Sequence, residues 1–275
     1  MFTIRNGNID KIIKYGEKTK IRRQKRMQQA KILDNWKALK EMGDVKCRDF
    51  PHYIYPSHKT LCDIFHDNNW AGKRCFVIGG GPSLKGFDFS RLDGELTIAV
   101  NRAFEYLEPS VVFFMDPIFY QKVMNGTFGE RTKERFISHK MKVTLNISGV
   151  QYGDGVYSIP ISERPEMTTD LKDGLFEGGN SGFAALNLAV CLGANPIYLL
   201  GFDMNSNGTG KQSWFHPGYE NPGKDSVYGG WIEHLNDAAP IIKELGIKVI
   251  NLNPESGVRC FEFGEFEGIK DNKWT

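Results

Sequence analysis

The stretch Cys75–Gly86, CFVIGGGPSLKG, runs from β-forming residues into three consecutive glycines, a proline and a serine. A chain this bare lets a ligand approach the backbone closely and lets amide N–H groups turn toward phosphate oxygens. Gly79, Gly80, Gly81 and Pro82 are therefore candidates for a phosphate-holding loop. Ser83 either adds a hydroxyl or caps the turn after the proline. A tight turn that serves folding alone is the plain alternative. Two commoner ligand loops are excluded by spacing. Leu84 stands where the third glycine of G-x-G-x-x-G belongs and the next strand run ends in Asn101 rather than an acid, which disfavours a nicotinamide dinucleotide; no Gly-Lys-Ser/Thr follows for a Walker loop.

A second cluster lies in KQSWFHPGYENPGK. With an unperturbed pKa of about 6.5, His216 suits removal of a proton from an acceptor hydroxyl, and Lys211 suits offsetting charge on a departing phosphate. A neutral histidine on a surface loop is the alternative.

These residues need elements to place them. KRCFVIGG, ELTIAV, SVVFFMD, MKVTLNIS, NPIYLLGFDM and IKVINLNP read as strands, with helices over Arg131 to His139, Ser181 to Leu192 and Trp231 to Leu245. Such alternation predicts an α/β fold, a Rossmann-like mostly parallel sheet with helices on both faces. Ligands of such sheets bind beyond the carboxyl ends of the strands, which selects Gly79 to Ser83, Asn101, Asp116, Gly201 to Asn205 and Asn251 to Ser256.

The five cysteines are scattered and form no C-x-x-C pair, so neither a disulfide framework nor a zinc site is suggested, and a reducing, cytoplasmic setting is expected. No run of about 18 apolar residues exists to span a membrane. The first 48 residues carry 14 Lys+Arg against 5 Asp+Glu, and the remainder 21 against 28. The expected organisation is a basic helical N-terminal arm over 1–48, a connector over 49–72 and a Rossmann-like domain over 73–275, which the resemblance given below implies to be a nucleotide-binding transferase. The arm offers contacts to nucleic acid, to anionic lipid, or to a second subunit through its apolar stripe.

The segments GGGPSLKGFDFSRL, AVNRAF, VFFMDPIFYQK and NSGFAALNLAVCLGANPIYLLGFDM resemble, in order and spacing, the bacterial sialyltransferases that use CMP-sialic acid. They also resemble the related family of archaeal 6-hydroxymethyl-dihydropterin diphosphokinase, with its often phage-borne relatives. The resemblance spans roughly Lys73 to Ser256. It implies that Gly79, Gly81, Pro82, Ser83 and Asn101 hold a nucleotide, and that Asn180, Ser181 and Gly182 line the same pocket at a helix start, unless Asn180 or Ser181 is merely an N-cap. Gly80 replaces an asparagine of the family loop, and Asp116 replaces another. A carboxylate beside a nucleotide phosphate is repulsive unless a cation or proton intervenes, so Asp116 is either a Mg²⁺ ligand or a cap for the turn at Pro117. Asp203 matches a family acid that orients loop groups or binds metal, unless it only ties down its own loop. Asn251, Asn253 and Ser256 either reach base or ribose or form a plain turn. Two tyrosines that hold the leaving phosphate in the sialyltransferases fall near Asn205 and Lys211, and the family's histidine falls near Tyr228 or Gly229.

The resulting expectation is a sialyltransferase-like glycosyltransferase. It takes a nucleotide sugar donor, CMP-linked by resemblance, and passes the glycosyl group to a hydroxyl of a glycan or nucleic-acid acceptor. The alternatives are a Mg²⁺-dependent diphosphokinase in which Asp116 and Asp203 share the cation, and a non-catalytic nucleotide-binding scaffold with a nucleic-acid-contacting arm.

Overall fold

The computed structural model describes residues 61, 64–145, 152–153, 155–205, 210–219 and 224–269. The basic arm expected over 1–48 and most of the connector lie outside those residues.

Near-continuous apolar runs form most of the strands and bury both of their faces. They are β1 (Cys75–Ile78), β2 (Leu96–Val100), β3 (Val111–Phe114), β4 (Lys142–Leu145), β5 (Val156–Ile159), β6 (Ile197–Leu200), β7 (Val249–Asn251) and β8 (Glu262–Phe263). They make one sheet in the order β5-β4-β3-β2-β1-β6-β7-β8. Every pairing is parallel, so the expected mostly parallel sheet is parallel throughout the described residues. The chain starts in the middle at β1, works outward to β5, and returns to lay β6 on the other side of β1. Strand order therefore reverses between β1 and β6, where an open α/β sheet leaves a crevice at its carboxyl end. The sequence runs did not anticipate β5 or the two-residue β8.

Alternate strand residues feed two cores, as the period of two requires. Val77, Ile98 and Phe113 pack with α3 (Ser181–Cys191) and α4 (Tyr228–Glu244) on one face. Phe76, Ile78, Ala99, Val112 and Phe114 pack on the other with α1 (Pro117–Met124) and α2 (Glu130–Ser138). From Phe183 to Cys191 every residue of α3 is buried, including the polar Asn187. Its Oδ1 accepts the N–H groups of Thr168 and Phe176, and its Nδ2 donates to the Thr168 carbonyl, so the buried amide is satisfied. The described end of the connector belongs to this body. Trp70 N–H donates to the Leu192 carbonyl at 2.7 Å, and Asp67 accepts the Leu171 N–H at 2.8 Å. Among the described residues no helix is long and apolar enough to cross a membrane.

Candidate functional site

A cavity of about 430 Å³ opens at the carboxyl ends of β1, β2, β3 and β6, over the point where strand order reverses. Its floor is the glycine loop after β1. Its walls are the starts of α1, α3 and α4 and a strap, residues 212–219, that lies across the loop.

The glycines of the floor answer first to their neighbours in the protein. Gly79 N–H donates to the Leu200 carbonyl at 2.7 Å and Gly81 N–H to the Gly201 carbonyl at 2.9 Å. A Cβ on Gly79 would stand 2.6 Å from the Gly201 oxygen, and one on Gly81 2.5 Å from Asp203 Oδ1. The bareness thus lets the ends of β1 and β6 touch. Of the amides expected to face phosphate, those of Gly79, Gly81 and Ser83 are engaged inside the protein, and Pro82 has none. The Gly80 N–H has no acceptor among the described residues.

Asp203 is a tie between these loops. At 4% exposure its Oδ2 accepts the Ser83 N–H at 2.7 Å, while its Oδ1 accepts the Ser83 hydroxyl at 2.5 Å and the Asn253 Nδ2 at 2.8 Å. Ser256 donates to the Phe202 carbonyl at 2.5 Å. The segment after β7 therefore supports the loop after β6. Ser83 and Asn253, expected to touch ligand, stand outside the cavity lining because their side chains are committed to Asp203. Asp203 lines the cavity with both carboxylate oxygens already accepting from protein donors.

Asn101 presents the opposite case. It follows β2 in the left-handed region at φ 51, and its Oδ1 is buried in the cavity wall with no hydrogen-bond partner among the described residues. Asparagine tolerates this conformation better than most side chains, and such backbone outliers cluster at functional sites.

Two helix starts carry the remaining expected residues. Asn180 caps α3 by accepting the Phe183 N–H at 2.9 Å, which leaves the N–H groups of Ser181 and Gly182 without acceptors among the described residues. The helix dipole adds partial positive charge there. Asp116 caps α1 through Oδ1, which accepts the Ile118 N–H at 2.8 Å, and its other oxygen takes no donor among the described residues. Among the described residues no group of three or more His, Cys, Asp or Glu side chains is placed to hold a metal ion. Asp116 is thus a carboxylate of the cavity wall that belongs to no such group.

His216 reaches the cavity on the strap, whose Phe215 N–H donates to the Gly80 carbonyl at 3.1 Å. The ring is 6% exposed, and its Nδ1 accepts the Gly218 N–H at 3.0 Å. A neutral imidazole that accepts at Nδ1 carries its proton on Nε2. That nitrogen faces the glycine loop, 3.5 Å from where a Gly80 Cβ would be. Burial, with the nearby Arg102 charge, pushes the ring pKa down to about 3. In this arrangement the ring at neutral pH offers a donor to the glycine loop, where the sequence led one to expect a base. Lys211, expected to offset phosphate charge, is exposed outside the lining. The lining cation is Lys122 of α1.

Sequence reasoning missed Lys122, Arg102, Trp214 and Trp231. Lys122 had a readable signal. Asp116–Pro117 is an N-cap followed by proline at the first helical position, and a helix read from there sets Ile118, Phe119 and Lys122 toward one side. Arg102 and the two tryptophans had none, because an arginine after a strand and aromatics in a long loop fit many structures.

No family model, no curated protein and no solved structure matches this chain.

Proposed function

We propose that this chain binds a nucleotide-linked donor in the cavity and passes its glycosyl group to an acceptor hydroxyl. The observation that carries the reading is the unpartnered Asn101 Oδ1 in the cavity wall. A buried acceptor without a donor costs about 1–3 kcal/mol, and an N–H of a nucleoside base is the complementary group. A phosphate linked to that nucleoside then lies toward the Gly80 N–H, the His216 Nε2–H and the α3 start at Ser181 and Gly182. The resemblance of these loops to nucleotide-donor transferases supports the same assignment.

In the transfer, the bond between the donor carbon and the phosphate oxygen breaks, and the phosphate keeps the electron pair. Those N–H groups receive the developing charge. The acceptor oxygen bonds to that carbon, and its proton goes to the unengaged oxygen of Asp116. Trp214 and Trp231 supply faces on which a base or a sugar ring stacks. A diphosphokinase using both Asp116 and Asp203 for Mg²⁺ fits less well, since both Asp203 oxygens already accept from protein donors.

The test is thermal unfolding of the full chain with CMP, UMP, GMP and AMP and their sugar and triphosphate forms, with and without Mg²⁺. A nucleotide at a hundred times its Kd stabilises the native state by about 2.7 kcal/mol. The reading fails if none shifts the transition, or if Asn101→Ala responds as the natural chain does.

A further inference from the structure

Gly218 is held on three sides. His216 Nδ1 takes its N–H at 3.0 Å, Arg102 Nη1 donates to its carbonyl at 2.8 Å, and a Cβ on it would lie 2.8 Å from Trp214 Cε3. The N–H and the carbonyl belong to different peptide planes, joined through a glycine at φ 79 that no side chain restrains. Their mutual orientation is therefore set by what they are bonded to.

Arg102 is built as a fixed donor. It is 6% exposed, its Nε and Nη2 donate to the two carboxylate oxygens of Glu105, and its Cζ lies 4.5 Å over the Phe128 ring. Two bonds from a planar fork and a stacked face leave the third donor one direction to point. That direction meets the Gly218 carbonyl.

We infer that Arg102 is the positioning residue of the site: by fixing the Gly218 carbonyl it orients the Gly218 N–H, selects the Nε2–H tautomer of His216 and aims that donor at Gly80. The inference takes the donor role of His216 from the functional reading above. Asn101 and Arg102 are consecutive, so the unpartnered acceptor in the cavity wall and the residue that sets the His216 donor share a peptide bond. The charged and titratable groups beside the ring are Arg102 and Tyr219, whose own hydroxyl is pushed up by burial and stays neutral.

The experiment is ¹⁵N NMR of the imidazole nitrogens in the full, ligand-free chain. Six histidines are present, and loss of a signal in His216→Gln assigns the ring. In the natural chain His216 shows one pyrrole-like and one pyridine-like nitrogen, the Nε2–H form, with no titration down to about pH 5. Arg102→Gln brings the two nitrogen shifts together by at least half their separation and exposes a midpoint above about pH 5. Arg102→Lys, which keeps a cation but not the fork, lies between the two. An unchanged His216 spectrum in Arg102→Gln with a native melting curve overturns the inference. If Arg102→Gln does not fold, Glu105→Gln decides: a shift in the same direction supports the inference, and an unchanged ring overturns it. No nucleotide enters the measurement, so its failure is separable from a failure of the functional reading.

Discussion

Asp203 holds Ser83 twice, taking its N–H on one carboxylate oxygen at 2.7 Å and its hydroxyl on the other at 2.5 Å. Both oxygens serve as acceptors, and one also takes Asn253. Asp203→Asn replaces one acceptor with a donor that faces another donor. A loss of about 1–3 kcal/mol follows, read as a lower urea midpoint, and Ser83→Ala removes one hydrogen bond to the carboxylate at a cost of about 1.5–3 kcal/mol. An unchanged midpoint in Asp203→Asn contradicts the tie.

Glycines of this chain differ in what they tolerate. Gly81→Ala drives a methyl to 2.5 Å from Asp203 and 2.7 Å from the Gly201 carbonyl, costing about 1–3 kcal/mol as overpacking. Gly230 lies in the first turn of α4 with nothing within 4 Å of a Cβ. Gly230→Ala stabilises by about 0.4–1 kcal/mol, because the unfolded chain loses freedom while the native helix loses nothing. Calorimetry of the two variants should give shifts of opposite sign.

Asn101 separates stability from binding. Asn101→Gly removes the cost of the left-handed conformation at φ 51 and also the orphaned oxygen, so the melting temperature holds or rises while nucleotide affinity falls about tenfold. Asn101→Ala keeps the strain, about 1–2 kcal/mol, and loses the acceptor. Parallel melting and titration of the two variants check both signs. Equal nucleotide affinity in all three chains removes Asn101 from the site.

His216 titrates near 6.5 when unfolded and near 3 in the native chain, about 3 being the value to which burial pushes it. Between those values the unfolded state binds a proton that the native state does not, so stability rises with pH across that window. It is lost as pH falls below about 6.5, by up to about 1.4 kcal/mol per unit. His139 is depressed in the same direction, first by burial. His216→Gln therefore reduces the slope without abolishing it, and an unchanged slope between pH 4 and about 6 would show that the ring is charged in the native state.

Much of the frame was legible because it is written in local pattern. Six apolar runs, each ending in glycine or a polar residue, were enough to give the parallel sheet and the row of loops around the cavity. β5 escaped because VYSI mixes a hydroxyl and a half-exposed tyrosine into a four-residue run, and β8 because two exposed residues make no pattern. Individual roles were harder. Nothing local distinguishes an Asp203 that binds a cation from one that holds Ser83, nor a His216 that takes protons from one that gives a hydrogen bond. Those differences lie in partners far along the chain, Ser83 for the first and Arg102, acting through Gly218, for the second.

The return of the chain to lay β6 beside β1 puts Asp203 and Ser83 120 residues apart in sequence. A ribosome has thus long finished the glycine loop before it makes the residue that steadies it. Closing so distant a contact is slow relative to local structure, so the nascent chain carries no formed cavity until β6 emerges. A version stopped ahead of Ile197 has every glycine of the loop and no binding site.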